Sequence, residues 1–336
     1  MTTEDRARSA SLVLERSTAA GTIAAGFIDV IAGAEGVANS NGLFAYHAST
    51  GVASTLTVRT PDGSSSGWAG DEGADWTTIE SERIATDALA KCNAWRNKTA
   101  LEPGSYEVIL EPTAVGMLML QMMESTGFRR PSAFDARNAE EGRSYFSKRG
   151  GGTLLGEAVF DPRVTITSDP AFRNAETAPF TGTGDATKAE TWIAQGVLRS
   201  LAYSPFWAKR QDVAPKPAPS NLVMIGGTAT LDEMVASVKR GVLVTRFWYI
   251  RPLNPRLLVL TGLTRDGTFL IENGKISRPV TNFRFNQSLA DLLKNVDMLG
   301  VPTRVCASEN SSVGTPIVVP ALKVRAFNLS SVSDAI

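Results

Sequence analysis

Side chains that commonly carry hydrolytic or metal chemistry are scarce in this sequence. Among its 336 residues there is one histidine, His47, and there are two cysteines, Cys92 and Cys306. A zinc site with two or three histidine ligands therefore cannot form within one chain. A Ser-His-Asp or Cys-His mechanism would have to use His47, and no nearby pattern supplies a nucleophile and an orienting carboxylate. We expect His47 to be a half-exposed strand residue.

Two kinds of glycine-rich motif match formal signatures without the surroundings that the chemistry needs. Residues 63–67 read G-S-S-S-G, but the serines follow a Pro-Asp-Gly turn and no helix start follows them, so a nucleophile elbow is not expected. Residues 149–152 and 182–184 lack the lysine of a phosphate-binding loop and the third glycine of a dinucleotide-binding turn. We interpret residues 149–152 and 182–184 as flexible loops.

A methionine-rich segment at residues 117–123 is apolar on nearly every face and predicts a buried helix. A soft-metal or hydrophobic-ligand site is the alternative. Gln121 and Glu124 are one helical turn apart and could both point into a site. Glu124 is either satisfied by an arginine or the backbone, or it is a functional carboxylate. Cys306 ends a predicted strand, a place typical of an inert thiol.

The charge composition argues against several broad functions. Lys+Arg and Asp+Glu are 34 each, so the formal net charge is zero, and neither nucleic acid nor an anionic membrane is an expected partner. No stretch reaches the ~18 apolar residues of a membrane span, and the polar N-terminus has no apolar core like that of a signal peptide. Two cysteines far apart indicate no disulfide framework, so the expected location is the cytoplasm.

The residue patterns predict an α+β protein of two domains, with antiparallel sheets and few helices. Most of the chain reads as strands separated by turns, including turns at 265–267 and 272–274. The polar segment 97–104, which carries a Pro-Gly pair, predicts a boundary between a domain of residues 1–103 and one of residues 104–336. Helices are predicted at residues 4–18, 78–95, 112–125, 230–240 and 288–299.

Several segments match the motifs of one protein family, in order, across residues 20–327. The most specific is G-V-L-V-T-R-F-W-Y at 241–249, followed by T-G-L-T-R-D-G-T-F at 261–269 and N-F-R-F-N-Q-S at 282–288. Earlier matches are V-A-N-S-N-G-L at 37–43, G-S-Y-E-V-I-L-E-P-T-A at 104–114, E-G-R-S at 141–144 and F-D-P-R-V-T at 160–165. Together they resemble the TldD/PmbA family of metallopeptidases, once described as modulators of DNA gyrase. The resemblance implies a β-rich C-terminal domain and an N-terminal domain that is truncated relative to the family.

The resemblance also implies where the catalytic members bind zinc. Their motif H-E-x-x-x-H falls on residues 120–125, where Leu120, Gln121 and Ser125 replace the histidines and the glutamate. The third ligand, a cysteine, falls on Cys306. One cysteine without two histidines is a poor zinc site, and the neutral amide of Gln121 cannot deprotonate a bound water. The resemblance therefore favours a PmbA-like chain without a cofactor.

Three functions remain open on the sequence. We favour a non-catalytic PmbA-like subunit that forms a homodimer, or a heterodimer with a TldD-like catalytic chain, and helps to enclose an unfolded peptide. An exposed strand edge could take such a peptide by β-augmentation. The alternatives are a zinc peptidase with rearranged ligands (Glu124, Cys306 and Asp135) and a regulatory scaffold without turnover. Glu124, Cys306 and Arg246 are the candidate cavity residues, although Arg246 could equally be a structural salt-bridge residue.

Overall fold

The computed structural model describes residues 1–123, 132–307, 309 and 313–334. In these residues the chain is an α+β protein dominated by antiparallel strands, which confirms the predicted fold class. No helix among them is long and apolar enough to cross a membrane. The first part contains α1 (Thr3–Ala19), β1 (Ile23–Ala38), β2 (Phe44–Arg59), β3 (Ser66–Gly73) and α2 (Ser81–Ala94).

Strands β1, β2 and β3 form a three-stranded antiparallel sheet in that order. The first two make a long hairpin, in which Ala38 and Phe44 are the last paired residues before the turn. Asn39 stabilises this turn, because its side-chain oxygen accepts hydrogen bonds from the backbone amides of Asn41 and Leu43.

Helix α2 covers one face of this sheet. The contact is closest at Gly67, where a Cβ atom would lie 2.1 Å from the backbone oxygen of Ala88. Only glycine therefore permits this distance between helix and strand. The small and apolar side chains around the contact form a buried cluster of Leu56, Val58, Ala69, Ile84, Ala85, Ala88 and Cys92.

The second part of the chain contains more strands and several short helices. Its first elements are β4 (Gly104–Leu110), α3 (Pro112–Met119), α4 (Ala136–Glu140), β5 (Ile166–Ser168), β6 (Glu190–Ala194), β7 (Val197–Leu198), α5 (Pro205–Gln211) and β8 (Leu222–Met224). They are followed by α6 (Leu231–Ala236), β9 (Arg240–Asn254), β10 (Val259–Glu272), β11 (Lys275–Pro279), β12 (Asn282–Ser288), α7 (Leu289–Lys294), β13 (Val296–Leu299), β14 (Thr303–Arg304), β15 (Ile317–Val319) and β16 (Leu322–Ser333).

Five of these strands close into a ring. The order β10-β12-β16-β4-β9 is completed by the pairing of β9 back onto β10, while β11 and β13 add to the ring at β10 and β16. Phe247, Phe285 and Phe327 contribute fully buried rings from three different strands, with centroids 4.7, 5.6 and 5.4 Å apart. These three rings pack together in the main apolar core of the chain.

Helix α3 lies between this ring and a second sheet, whose order is β14-β15-β8-β5-β6-β7. Its Gly116 approaches the segment before β15 so closely that a Cβ atom would lie 2.4 Å from a methyl group of Val305. The methionines of α3, Met117 and Met119, are buried. The predicted burial of the methionines is therefore confirmed, although only the first residues of the segment are α-helical.

Three predicted helices end earlier than expected. The helix predicted at 112–125 is α-helical only to Met119 and continues as a 3₁₀ turn. The helix predicted at 230–240 ends at Ala236, and Gly241 is a strand residue opposite Glu107 instead of a helix cap. The helix predicted at 288–299 is replaced by β13 after Lys294. In the last two cases, pairing with a neighbouring strand overrides the local helical pattern.

The turn predicted at 265–267 is a β-bulge inside the continuous strand β10. Asp266 and Gly267 have φ values of 56° and 138°, and the pairing of β10 with β9 shifts register there. Aspartate and glycine suit both structures, because a bulge and a hairpin turn each need positive φ. The turn predicted at 272–274 does connect β10 to β11.

Strand β3 joins the N-terminal sheet to the rest of the chain through side chains on one of its faces. The Ser66 hydroxyl donates a hydrogen bond of 2.7 Å to the Asp266 carboxylate. Arg304 donates one of 3.0 Å to Glu72. The division at residue 103 stays a prediction, but the two predicted domains meet through buried polar contacts.

The ion pair between Glu72 and Arg304 is largely shielded from solvent, with side chains 1% and 11% exposed. Burial raises the pKa of Glu72 to about 7, and the charge of Arg304 opposes this shift. Arg304 also donates a hydrogen bond of 2.6 Å to the backbone oxygen of Asn174. Glu72 therefore binds its proton more tightly in the folded chain than in the unfolded chain.

We predict that this proton makes folding stability depend on pH. The ordinary pKa of 4.5 rises to about 7, so the contribution of Glu72 is complete below pH 4.5 and is lost as the pH rises through 7. The loss is roughly 3 kcal/mol in the free energy of unfolding. Urea unfolding of the wild type and of Glu72→Gln between pH 4.5 and 8 should show this downward slope only in the wild type. Parallel pH profiles would contradict the assignment.

We also predict that the α2–β3 contact does not tolerate a methyl group. Gly67→Ala places a Cβ against the backbone of α2 and should lower the free energy of unfolding by about 2 kcal/mol or more. Gly33→Ala is the matched control, because a Cβ on that strand residue meets nothing within 4 Å. Thermal unfolding should separate the two variants by several degrees, and equal destabilisation would count against the contact.

Candidate functional site

A buried ion pair links the bulge in β10 to the neighbouring strand β9. Nη1 of Arg246 lies 3.0 Å from Oδ2 of Asp266, and the two side chains are 5% and 1% exposed. Ser66 donates to the other carboxylate oxygen. Nε of Arg265 lies 3.9 Å from Asp266 as well, so a single negative charge is shared between two guanidinium groups.

Two tryptophans enclose the guanidinium group of Arg246. Its central carbon is 4.3 Å from the ring centroid of Trp68 and 5.2 Å from that of Trp248. Burial lowers the pKa of Arg246, while the Asp266 carboxylate raises it; the group remains a cation, because arginine is not deprotonated in proteins. Its Nε is buried without a hydrogen-bond partner among the described residues, which costs about 1–3 kcal/mol.

Cys306 lies on the segment that follows β14, two residues after Arg304, and is 1% exposed. The preceding residue, Val305, packs on Gly116 of α3. The fold therefore brings α3 and the Cys306 segment together.

The two described positions of the predicted metal motif lie just after α3. Leu120 and Gln121 belong to the 3₁₀ turn Leu120–Met122 and are both partly exposed. Gln121 lines a cavity of about 290 Å³, whose polar walls include Asn138, Arg143 and Asn254. The other two sequence candidates of this segment, Glu124 and Ser125, lie outside the described residues.

The remaining sequence candidates have local structural roles. His47 is a partly exposed residue of β2 opposite Glu35, as predicted. Asp135 caps α4, because its carboxylate accepts a hydrogen bond of 2.7 Å from the backbone amide of Asn138. Burial raises the pKa of Asp135.

The motif at residues 63–67 is structural, in agreement with the sequence reading. Ser65 donates a hydrogen bond of 2.6 Å to the backbone oxygen of Cys92, and Ser66 binds Asp266. Cys92 is buried in α2, and burial raises the pKa of its thiol. Both cysteines are therefore buried, Cys92 in α2 and Cys306 after β14.

The sequence reading singled out Arg246 and missed its partners. Arg246 and Arg265 occupy paired positions on β9 and β10, and like charges facing each other across strands need a counter-charge. In the sequence, the two Thr-Arg pairs at 245–246 and 264–265, the second followed by an aspartate, indicate this need for a counter-charge. Asp266 supplies the counter-charge, while Trp68 comes from a distant strand that no local pattern connects to this site.

Known proteins with similar sequences are metalloproteases. The family model of the PmbA/TldA metallopeptidase C-terminal domain matches residues 103–331. The Haemophilus influenzae "Metalloprotease TldD homolog" is 24% identical over 289 residues, covering 77% of this chain and 56% of that protein. The Methanothermobacter thermautotrophicus "Metalloprotease" is 24% identical over 243 residues, covering 66% and 49%. The chain thus spans about half the length of these relatives.

Solved structures show the same fold. A proposed modulator of DNA gyrase from Thermotoga maritima has a TM-score of 0.83 at 19% identity, over 98% of this chain and 74% of that chain. TldE from Thermococcus kodakarensis has a TM-score of 0.77 at 17% identity, over 96% and 72%. Since the family model matches well over half of its residues, this chain belongs to the PmbA/TldD metallopeptidase family.

Proposed function

We propose that this chain is the non-catalytic, PmbA-like subunit of a TldD/PmbA-type peptidase. It would pair with a histidine-bearing TldD-like chain and take part in peptide processing without cleaving peptides itself. Membership of the family and the metalloprotease names of its relatives support the link to proteolysis. The fold shared with TldE supports the assignment of this chain to the subunit role.

The observation that carries the proposal is the chemistry of the side chains at the metal-motif positions that the resemblance implies. Leu120 offers no donor atom and Gln121 offers only a neutral amide, so neither replaces a histidine ligand. Among the described residues, no group of three or more His, Cys, Asp or Glu side chains could hold a metal ion. Of the ligand positions that the resemblance implies, only Cys306 keeps a ligand side chain, and a single thiolate holds a catalytic zinc poorly.

The same chemistry disfavours a peptidase with rearranged ligands. Of the residues such a site would use, Asp135 is engaged as the cap of α4, and Glu124 lies outside the described residues. Cys306 would then be a single soft ligand, which holds zinc poorly. The other alternative is a regulatory scaffold that cleaves no peptide. Its formal net charge of zero would give such a scaffold no electrostatic attraction to DNA.

An exposed strand edge supports the binding of a peptide or a partner chain. Strand β1 is an edge of the three-stranded sheet and carries exposed apolar side chains, including Ile23, Phe27 and Ile31. An unpaired edge offers its backbone amides and carbonyls to an extended segment from another chain. Such pairing depends on backbone hydrogen bonds more than on side-chain contacts, so it suits unfolded peptides of varied sequence.

We predict that the chain purified alone from zinc-supplemented medium holds less than about a tenth of a zinc per molecule. It should also release no peptides from casein. Mixing it with a TldD-like chain from the same organism should give a complex by native mass spectrometry, and peptide release should require that partner. A zinc-loaded, active homodimer would overturn the proposal, and a folded chain that binds no such partner would favour the scaffold alternative.

We also predict that Cys306 has no role in the chemical step. Cys306→Ser changes a buried thiol conservatively and should leave the kcat of the assembled peptidase within about twofold. The corresponding cysteine of the catalytic partner, changed to serine, is the positive control and should lose most activity together with zinc. A large loss of kcat in Cys306→Ser, with the assembly intact, would show that this chain contributes to catalysis.

A further inference from the structure

A cavity of about 500 Å³ lies in the first part of the chain, between α1, α2 and the three-stranded sheet. Its floor is formed by β1 and β2, where Gly26 pairs with Leu56 and Ile28 with Ser54. Ile84 of α2 contributes to one wall. The volume lies within the range of about 300–1,000 Å³ that is typical of small-molecule sites.

Helix α1 forms the outer wall of this cavity with one stripe of side chains. Thr3, Ala7, Ala10 and Leu14 recur every three or four residues, so they share one face of the helix, and all four line the cavity. At 1.5 Å per residue, the stripe is roughly 16 Å long. The two alanines leave the space between helix and sheet open. The cavity is therefore elongated, with a polar end at Thr3 and an apolar end at Leu14.

The C-terminal half of α1 keeps the helix in place beside the cavity. Leu12 and Val13 pack against the buried cluster of α2, β2 and β3. Arg16 donates a hydrogen bond of 3.0 Å to Thr86 and lies 3.3 Å from Glu82. The helix is therefore anchored to α2 at one end, while its first turns cover the cavity.

The wall of the cavity contains one charged side chain, that of Arg6 on α1. No acidic residue lines the cavity, and Arg6 makes no ion pair with another of the described residues. Acidic groups on neighbouring turns have other partners, since Asp5 accepts a hydrogen bond of 2.8 Å from the amide of Thr2 and Glu82 pairs with Arg16. A guanidinium group at the polar end of an otherwise uncharged cavity suits a carboxylate, which it can bind through two parallel hydrogen bonds.

We propose that this cavity binds a long-chain carboxylic acid, with the carboxylate at Arg6 and the acyl chain along α1. Removal of the chain from water supplies most of the affinity, and Arg6 fixes the orientation. A peptide of the same length would place amide groups against Ala10, Val13 and Leu14, where they find no hydrogen-bond partners. The inference goes beyond the proposed function, because none of the predicted metal-motif positions lines the cavity.

The experiment is isothermal titration calorimetry of the full chain with dodecanoate, kept below its micelle concentration. The wild type should bind one dodecanoate with a Kd of about 10 μM or tighter. Arg6→Gln should weaken binding about fivefold, a modest factor because solvent screens an exposed arginine. The matched control is Arg8→Gln, an exposed arginine of the same helix outside the cavity, which should leave the Kd unchanged. Dodecanol should bind the wild type and Arg6→Gln equally, because it offers no charge to the guanidinium group.

A second variant fills the cavity and tests where the chain binds. Ala10→Leu adds a larger side chain to the cavity wall and should abolish binding of both dodecanoate and dodecanol. Ser11→Leu is its control, because Ser11 is exposed on α1 and does not line the cavity, so binding should persist. Circular dichroism and thermal unfolding establish that each variant is folded.

Three results would overturn the proposal: no binding of dodecanoate to the folded wild type, equal effects of Arg6→Gln and Arg8→Gln, or unchanged binding in Ala10→Leu. A leucine tripeptide that binds the wild type more tightly than dodecanoate, and is lost in Ala10→Leu, would also overturn it in favour of a peptide ligand. The outcome is separate from that of the proposed function, which is tested by zinc content and by binding of a TldD-like partner.

Discussion

The buried ion pair between Arg246 and Asp266 constrains the rest of the structure. An arginine that is 4% exposed needs a carboxylate, and breaking such a pair by removing one partner costs about 3–5 kcal/mol. The carboxylate reaches the arginine because β10 bulges at Asp266, where φ is positive. The pair then fixes β3, whose Ser66 binds Asp266 and whose Trp68 covers Arg246. One polar contact thus ties the N-terminal sheet to the closed ring of strands.

The segment that carries Cys306 is held on two sides by this arrangement. Arg304 anchors it to Glu72 on β3, and Val305 packs against Gly116 of α3. The segment up to Cys306 is therefore anchored to both β3 and α3. Such anchoring suits the proposed role of a subunit that contributes shape, more than chemistry, to a peptidase.

Much of the fold could be predicted from the sequence, because antiparallel strands and their turns leave local signals. The buried methionines of α3 and the turn at 272–274 are examples. The errors arose where tertiary pairing competes with local pattern. Residues 296–299 continue a helical pattern but pair with β16, and the Arg-Asp-Gly sequence fits a turn as well as it fits a bulge.

The candidate site was only partly predictable for a related reason. Arg246 stands out because a charged residue interrupts an apolar strand, and Cys306 stands out through the family resemblance. The surroundings of both residues depend on contacts between residues far apart in sequence. Ser66 and Asp266 are separated by 200 positions, and Glu72 and Arg304 by 232. No local pattern encodes such a pair, so the electrostatic character of the site emerges only from the folded chain.

The most direct test of this account is the number of zinc ions in the assembled peptidase. Native mass spectrometry combined with metal analysis would be applied to the complex of this chain with its TldD-like partner. The account predicts one zinc for each pair of chains, bound by the partner's histidines. Two zinc ions for each pair, with one lost on Cys306→Ser, would contradict the proposal that this chain is non-catalytic.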